Sequence, residues 1–304
     1  MDHTTKAFAE QLKGLVSLGP EFRLQWKNEL TDSPYSVVSR FSVEGLGEHR
    51  SLVVKQYQVL SDDSPSDLSG ARIRLYDEYA ALKFIEETCS TDGIGPRTIA
   101  LDREQCLLVQ EDLGDGVDQV LYGDDPDTAE AYLLSYVRTL GRLHARTSGE
   151  ADAFRRLREG LGPVRHELLA GLEVENPDQI EPMLIRWWST ICEAFGGDAT
   201  VCGADLADVA DCVRSPGAYA CLTHGDVCNG NELTVDGEIA LIDFENAAFR
   251  HALLDSAADP SIFQFCYRGD QIPISVQLRM RDAYREALVK GCPDAADDAS
   301  FYGA

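Results

Sequence analysis

Positive charge is scarce in this chain. Its 27 Lys and Arg stand against 52 Asp and Glu, for a formal net charge of -25. That balance argues against the broad basic faces by which proteins grip nucleic acid or anionic membranes. It would favour a cationic small molecule, although a cell that keeps its soluble proteins highly charged would produce the same acidity. Long apolar runs are also missing, since none nears the roughly 18 to 20 residues that span a bilayer. The opening MDHTTKAFAEQLKG has neither the basic end nor the apolar middle of a secretory leader, so a cytoplasmic protein is expected. The nine cysteines are odd in number and contain no Cys-x-x-Cys pair, which reads as reduced thiols filling the core.

What is present is a chain of 304 residues, 44% hydrophobic, enough for one large or two ordinary cores. After an N-terminal helix, YSVVSRFSV (35–43) and RSLVVKQYQV (50–59) are partly alternating, β-branched runs joined by the turn residues EGLGEH. A polar loop, SDDSPSDLSG, precedes a helix over 71–89 whose expected apolar stripe is Ile73, Tyr76, Tyr79, Ala80, Leu82 and Lys83. GPRTIALD and QCLLVQEDLG form a further strand pair, and EDLGDGVDQ reads as a linker. From Pro126 the periodicity is helical, with Tyr132, Leu133, Tyr136, Val137, Leu140 and Leu143 on one face of the first long helix. The one β-rich interruption expected in this half is CLTHGDVCNGNELTVDGEIALIDFE (221–245). The expected fold class is α+β, with a small N-terminal β-sheet lobe carrying one helix (1–112) and a larger, mainly helical C-terminal lobe (113–304).

The chemistry concentrates in that β-rich stretch. Asp-Gly between ELTV and EIALI marks a hairpin, so His224 to Asn231 is a loop entering it and Asp243 lies just past its far strand. Two carboxylates, Asp226 and Asp243, and the amide oxygen of Asn231 are hard ligands of the kind Mg²⁺ takes together with phosphate oxygens and water. A zinc site from Cys221, His224 and Cys228 is the competing reading, and it lacks a fourth ligand.

The ordered set His224-Gly225-Asp226, Asn231 and Ile242-Asp243-Phe244-Glu245 resembles the aminoglycoside phosphotransferase and choline kinase branch of the protein-kinase-like fold. The resemblance runs from Tyr35 to about Asp259 and implies the roles that follow. Asp226 orients the acceptor hydroxyl and takes its proton, while Asn231 and Asp243 hold Mg²⁺ on the phosphates of ATP or GTP. Lys55 in LVVKQY neutralises phosphate oxygens, and Glu78 in LYDEYAALKFI fixes Lys55. Backbone groups of Gln110, Glu111, Asp112 and Leu113 receive the base at the hinge between lobes. Asp255, twelve residues after Asp243, braces the catalytic loop by accepting backbone hydrogen bonds. His224 supports that loop, His144 in LGRLHA is structural, and Glu245 either stands behind the metal ligands or contacts substrate.

The sequence departs from its relatives in two places. No Gly-rich phosphate loop is present, which leaves Ser33 and Ser36 as the candidates for phosphate contact. VCNGN stands where many relatives have LHPGN, so Cys228 replaces a His. A protein kinase is disfavoured, because His-Arg-Asp, Asp-Phe-Gly and Ala-Pro-Glu elements are all missing.

The resemblance therefore implies an enzyme that moves the γ-phosphate to a hydroxyl of a small molecule. A cationic antibiotic such as an aminoglycoside or a basic peptide is the leading acceptor, which would make the protein an antibiotic-resistance factor. Asp152, Glu173, Glu175, Asp178, Glu181, Asp294, Asp297 and Asp298 are candidate amine contacts. Choline, homoserine, methylthioribose, a sugar or a macrolide would be served by the same core. A catalytically idle nucleotide- or partner-binding module is the reading from another class, and retention of the Lys, the base and the metal acid argues against it.

Overall fold

The computed structural model describes residues 12–16, 21, 23–44, 50–58, 69–89, 92–115, 125–164, 168–169, 172–173, 177–227, 230–255 and 272–303. Most of the EGLGEH turn, the polar loop 61–68, the linker 116–119, Glu175 and Cys228 lie outside them. Among the described residues no helix is long and apolar enough to cross a membrane. The chain divides into two compact units, and neither is continuous in sequence. The first comprises Met1–Val117, Leu157–Pro163 and Glu232–Glu245; the second comprises Asp118–Arg156, Val164–Asn231 and Asn246–Ala304.

The first unit is built on a five-stranded antiparallel sheet of β1 (Arg23–Asp32), β2 (Ser36–Glu44), β3 (Arg50–Tyr57), β4 (Thr98–Asp102) and β5 (Leu107–Glu111), in the order β1-β2-β3-β5-β4. Strand β1 escapes the sequence reading. It is an edge strand, almost wholly exposed, with two register shifts against β2, so RLQWKNELTD has no apolar alternation to betray it.

The register sorts the sheet's two faces. Leu24, Phe41, Val43, Val54, Leu107 and Val109 form an apolar cluster with Leu12, which belongs to a helical segment over 12–16. The opposite face carries Lys55, paired across from Leu108, and Val53, paired across from Gln110.

Helix α1 (Ser69–Thr88) packs on this sheet and departs from the expected stripe. Leu75, Ala81, Phe84 and Ile85 are buried beside Tyr76, Ala80 and Leu82, whereas Ile73, Tyr79 and Lys83 are only partly so. The helix is buried around most of its circumference, and it therefore lacks the one-sided pattern of a surface helix. The hairpin β9 (Glu232–Val235) and β10 (Glu238–Leu241) joins this unit, with the Leu241 N–H donating to the Ile94 carbonyl at 2.7 Å. Its turn uses Asp236 and Gly237 at φ 51° and 85°, the double left-handed geometry that makes Asp-Gly a hairpin signal.

The second unit is mainly helical: α2 (Pro126–Thr147), α4 (Ile180–Phe195), α5 (Gly203–Arg214) and α6 (Ile274–Leu288), with α3 (Ala151–Glu159) after α2. Asp125 caps α2 by accepting the Thr128 N–H at 3.3 Å, and Pro126 sits at its first turn. Helices α2 and α6 pack where Gly141 removes a Cβ that would lie 2.7 Å from the Ala287 side chain. The unit holds more strand than expected. A two-residue pair, β6 (Leu168–Leu169) with β7 (Leu172–Glu173), precedes the functional stretch, and β8 (Ala220–Thr223) pairs with β11 (Ala248–His251).

Candidate active site

In the first unit, β3 points Lys55 toward α1. Its Nζ lies 2.8 Å from Glu78 Oε2 and 3.2 Å from Glu245 Oε2, and it also contacts Asp243. Burial alone would lower the Lys55 pKa, but the charges of Glu78, Asp243 and Glu245 overcome it and raise the pKa well above the ordinary lysine value. Glu78 is fully buried, and burial outweighs its lysine partner, so its carboxyl titrates above the usual range.

Tyr57 was not anticipated. It lies two residues beyond Lys55 on the same face and donates its hydroxyl to Glu78 Oε2, while Lys55 Nζ sits 4.9 Å from its ring. The period-two alternation of a strand is the signal that could have found it. Asp243 is held at φ 67°, a left-handed conformation uncommon for a residue with a side chain, though Asp tolerates it better than most.

Glu78, Asp243 and Glu245 each bring a carboxylate oxygen within 4.8 Å of the others. This is a hard-oxygen donor set, suited to a divalent cation of the Mg²⁺ type.

The second unit holds Asp226 and Asn231. The loop after β8 is fixed at its start by Asp255, which accepts the His224 N–H at 2.6 Å and the Gly225 N–H at 2.9 Å. His144 Nε2 lies 3.0 Å from the same carboxylate, and His144 Nδ1 lies 2.7 Å from the Tyr284 hydroxyl. Burial would raise Asp255, but the His144 hydrogen bond and the charges of His144, His224 and Arg250 bring it below the usual carboxylate range.

Gly225, at φ 80°, has no room for a Cβ, which would strike the Asn246 carbonyl and the Arg250 guanidinium. His224 accepts the Asp226 N–H through Nδ1 at 3.2 Å. Asn231 donates its amide nitrogen to the Asp226 carbonyl at 3.0 Å, leaving Oδ1 as the atom able to act as a ligand.

The remaining predicted residues are placed as follows. Ser33 folds the β1–β2 turn, accepting from Ser36 N at 3.1 Å and donating to the Ser36 carbonyl, and Ser36 is buried. Glu111 pairs with Arg97 at 3.0 Å, and that hydrogen bond lowers its pKa. Asp112 is gripped by Arg40, with Nε at 2.7 Å, and accepts the Gly114 N–H at 3.0 Å, so the backbone that includes Leu113 leaves the sheet in a fixed shape. Among the candidate amine-binding acids, Asp152 pairs with Arg155 at 2.7 Å, Glu181 with Arg214 at 3.6 Å and Asp298 with Arg285 at 2.6 Å, and Asp297 accepts the Ser300 N–H. These four acids are engaged within the protein itself.

A five-stranded antiparallel sheet carrying one helix, followed by a helical C-terminal half, defines the α+β kinase-like class. The sequence profile of the phosphotransferase enzyme family matches residues 43–258, and the chain belongs to that family. A search of curated protein sequences found no match.

Solved structures with this fold include the ternary complex of the aminoglycoside phosphotransferase APH(2'')-IIa with streptomycin and ATP. It is 15% identical, with a TM-score of 0.51, covering 94% of this chain and 88% of that one. A choline kinase from Cryptosporidium parvum is 13% identical, TM-score 0.53, covering 98% and 84%. The amicoumacin kinase hAmiN, solved in complex with AMP-PNP, Ca²⁺ and Ami, is 12% identical, TM-score 0.53, covering 96% and 78%. The protein is a small-molecule kinase of this phosphotransferase family.

Proposed function

We propose that this kinase transfers the γ-phosphoryl group of ATP to a hydroxyl of a cationic small molecule, an aminoglycoside or basic peptide antibiotic being the leading class, and that it acts in the cytoplasm as a resistance enzyme. The observation that carries the nucleotide half is the buried Lys55–Glu78 pair at 2.8 Å. A lysine is kept charged there, under the sheet, where phosphate oxygens need neutralising. Net charge of -25 supports a cationic acceptor, which a field of that sign would concentrate.

Phosphoryl transfer asks a protein mainly for position and charge compensation. Asp226 would orient the acceptor hydroxyl and take its proton at a carboxylate oxygen. The bonds from His224 and Asn231 to its backbone keep that carboxylate aimed. Lys55 would release part of its hold on Asp243 and Glu245 to meet the phosphates, while Glu78 and Tyr57 keep its ammonium in place. Asn231 Oδ1 and Asp243 would hold Mg²⁺, with Glu245 near Asp243, and bound Mg²⁺ would supply charge neutralisation on the phosphates. Backbone groups of Gln110 to Leu113 would receive the base.

ATP consumption measured across a panel of hydroxylated amines, led by cationic antibiotics, tests the reading. On the acceptor so found, Asp226→Asn should lower kcat roughly 10²- to 10⁴-fold with the fold intact. Near-normal turnover would remove Asp226 from its assigned role.

A further inference from the structure

Gln110 is 7% exposed, and its side-chain Oε1 has no hydrogen-bond partner. Burying an amide unpaired is costly, so such groups in folded proteins are nearly always satisfied or are kept for a ligand. Its place in the sheet says which ligand. Gln110 lies across from Val53 on β3, and Val53 lies across from Arg40 on β2. The next row of the same face is Leu108, Lys55 and Val38. Gln110 therefore stands on the phosphate-binding lysine's face, one row nearer the chain exit at Asp112, which Arg40 holds.

We propose that the Gln110 amide reads the nucleobase and makes this kinase prefer ATP to GTP. The inference rests on the nucleotide reading above and adds a side-chain contact to the backbone contacts expected there. An amide presents an acceptor beside a donor, which matches the N6 amine and N7 of adenine; guanine places two acceptors, O6 and N7, on that edge. With adenine bound, Oε1 gains the donor it lacks. With guanine, one half of the amide faces like polarity. A residue that merely filled the core would do as well with an apolar side chain of similar size.

The test is calorimetric binding of MgATP and MgGTP to the full chain and to Gln110→Leu and Gln110→Met. Wild type should bind ATP about tenfold or more tighter than GTP. Both variants should bring that ratio close to one, with ligand-free melting temperatures unchanged or higher, since an unpaired buried amide has been removed. A ratio that survives in both variants, or a wild type without preference, overturns the proposal. Binding that weakens in Lys55→Met yet is indifferent to Gln110 overturns this inference alone, whereas failure of both nucleotides to bind wild type overturns the nucleotide reading with it.

Discussion

Glu78 in the first unit and Asp255 in the second are both fully buried carboxylates, held in opposite ways. Asp255 is ringed by hydrogen-bond donors, two of them backbone N–H groups of a loop, and its pKa falls below the ordinary range. Glu78 receives Lys55 and Tyr57 on one oxygen while the other, Oε1, is buried without a hydrogen bond, and its pKa rises. Fixed donors make a scaffold whose acid has nothing left to give. A flexible ammonium shared among three acids makes a charge store, on which a phosphate would draw in the function proposed, at the cost of an incompletely satisfied partner.

Removing Lys55 should break the contrast most visibly. Lys55→Met is expected to lower turnover on the order of a hundredfold or more. It should also destabilise the protein by about 3–5 kcal/mol near neutral pH, because three acids lose their common cation. Glu78 would then rise further. Above the unfolded value near 4.5 the folded state would retain a proton that the unfolded chain has released, so the variant should recover stability relative to wild type on acidification. Urea unfolding at several pH values reads this directly, and a deficit independent of pH would contradict the charge-store account.

Asp255→Ala should cost about 3–5 kcal/mol, since it orphans the His224 and Gly225 N–H groups and His144 Nε2 together. The deficit relative to wild type should hold down to the unfolded value of 3.8 and narrow only below it. The wild-type contribution of Asp255 is complete above the unfolded value of 3.8 and disappears as pH falls through its lower folded value. A melting temperature close to wild type would show that the loop does not depend on this carboxylate.

The smallest effect concerns His251, at the end of β11, stacked on Tyr219 with ring centroids 5.1 Å apart. Burial, then the neighbouring His144, lowers its pKa from 6.5 to about 4. Between those values the unfolded chain takes a proton that the folded protein refuses, so stability falls on acidification, by up to about 1.4 kcal/mol per pH unit. His251→Gln should flatten the stability profile over that window. An unchanged slope would assign the loss to other groups.

Much of this architecture was legible where local rules operate. Asp236-Gly237 gave its hairpin, the β-branched runs gave β2 and β3, and the spacing of Leu133, Tyr136, Val137, Leu140 and Leu143 gave the buried face of α2, although Tyr132, expected on that face, is only partly buried. Legibility failed where a pattern was missing or a partner was remote. Strand β1 has no buried alternation, and α1 is covered on too many sides to show a stripe. The position of Glu245 against Lys55 lay beyond any local rule, as did the Arg158–Asp77 ion pair at 2.6 Å, whose residues are 81 apart. The order His-Gly-Asp, Asn, Ile-Asp was enough to suggest a family, but it could not reveal that Lys55 rests on the acids of that motif.

The first unit borrows residues 157–163 and 232–245 from the later chain, and this has a consequence for biosynthesis. Asp243 leaves the ribosome 188 residues after Lys55. At about 5–20 residues per second that is a delay of roughly 10–40 s. For that interval the nascent sheet carries Lys55 without Asp243 and Glu245, and for its earlier part α1 also lacks the Arg158 guanidinium that grips Asp77, 81 residues before it in the chain. The amino-terminal unit is begun first but is complete only once residue 245 has been made, which leaves it open to chaperones or to miscoupling long after its five-stranded sheet has been synthesised.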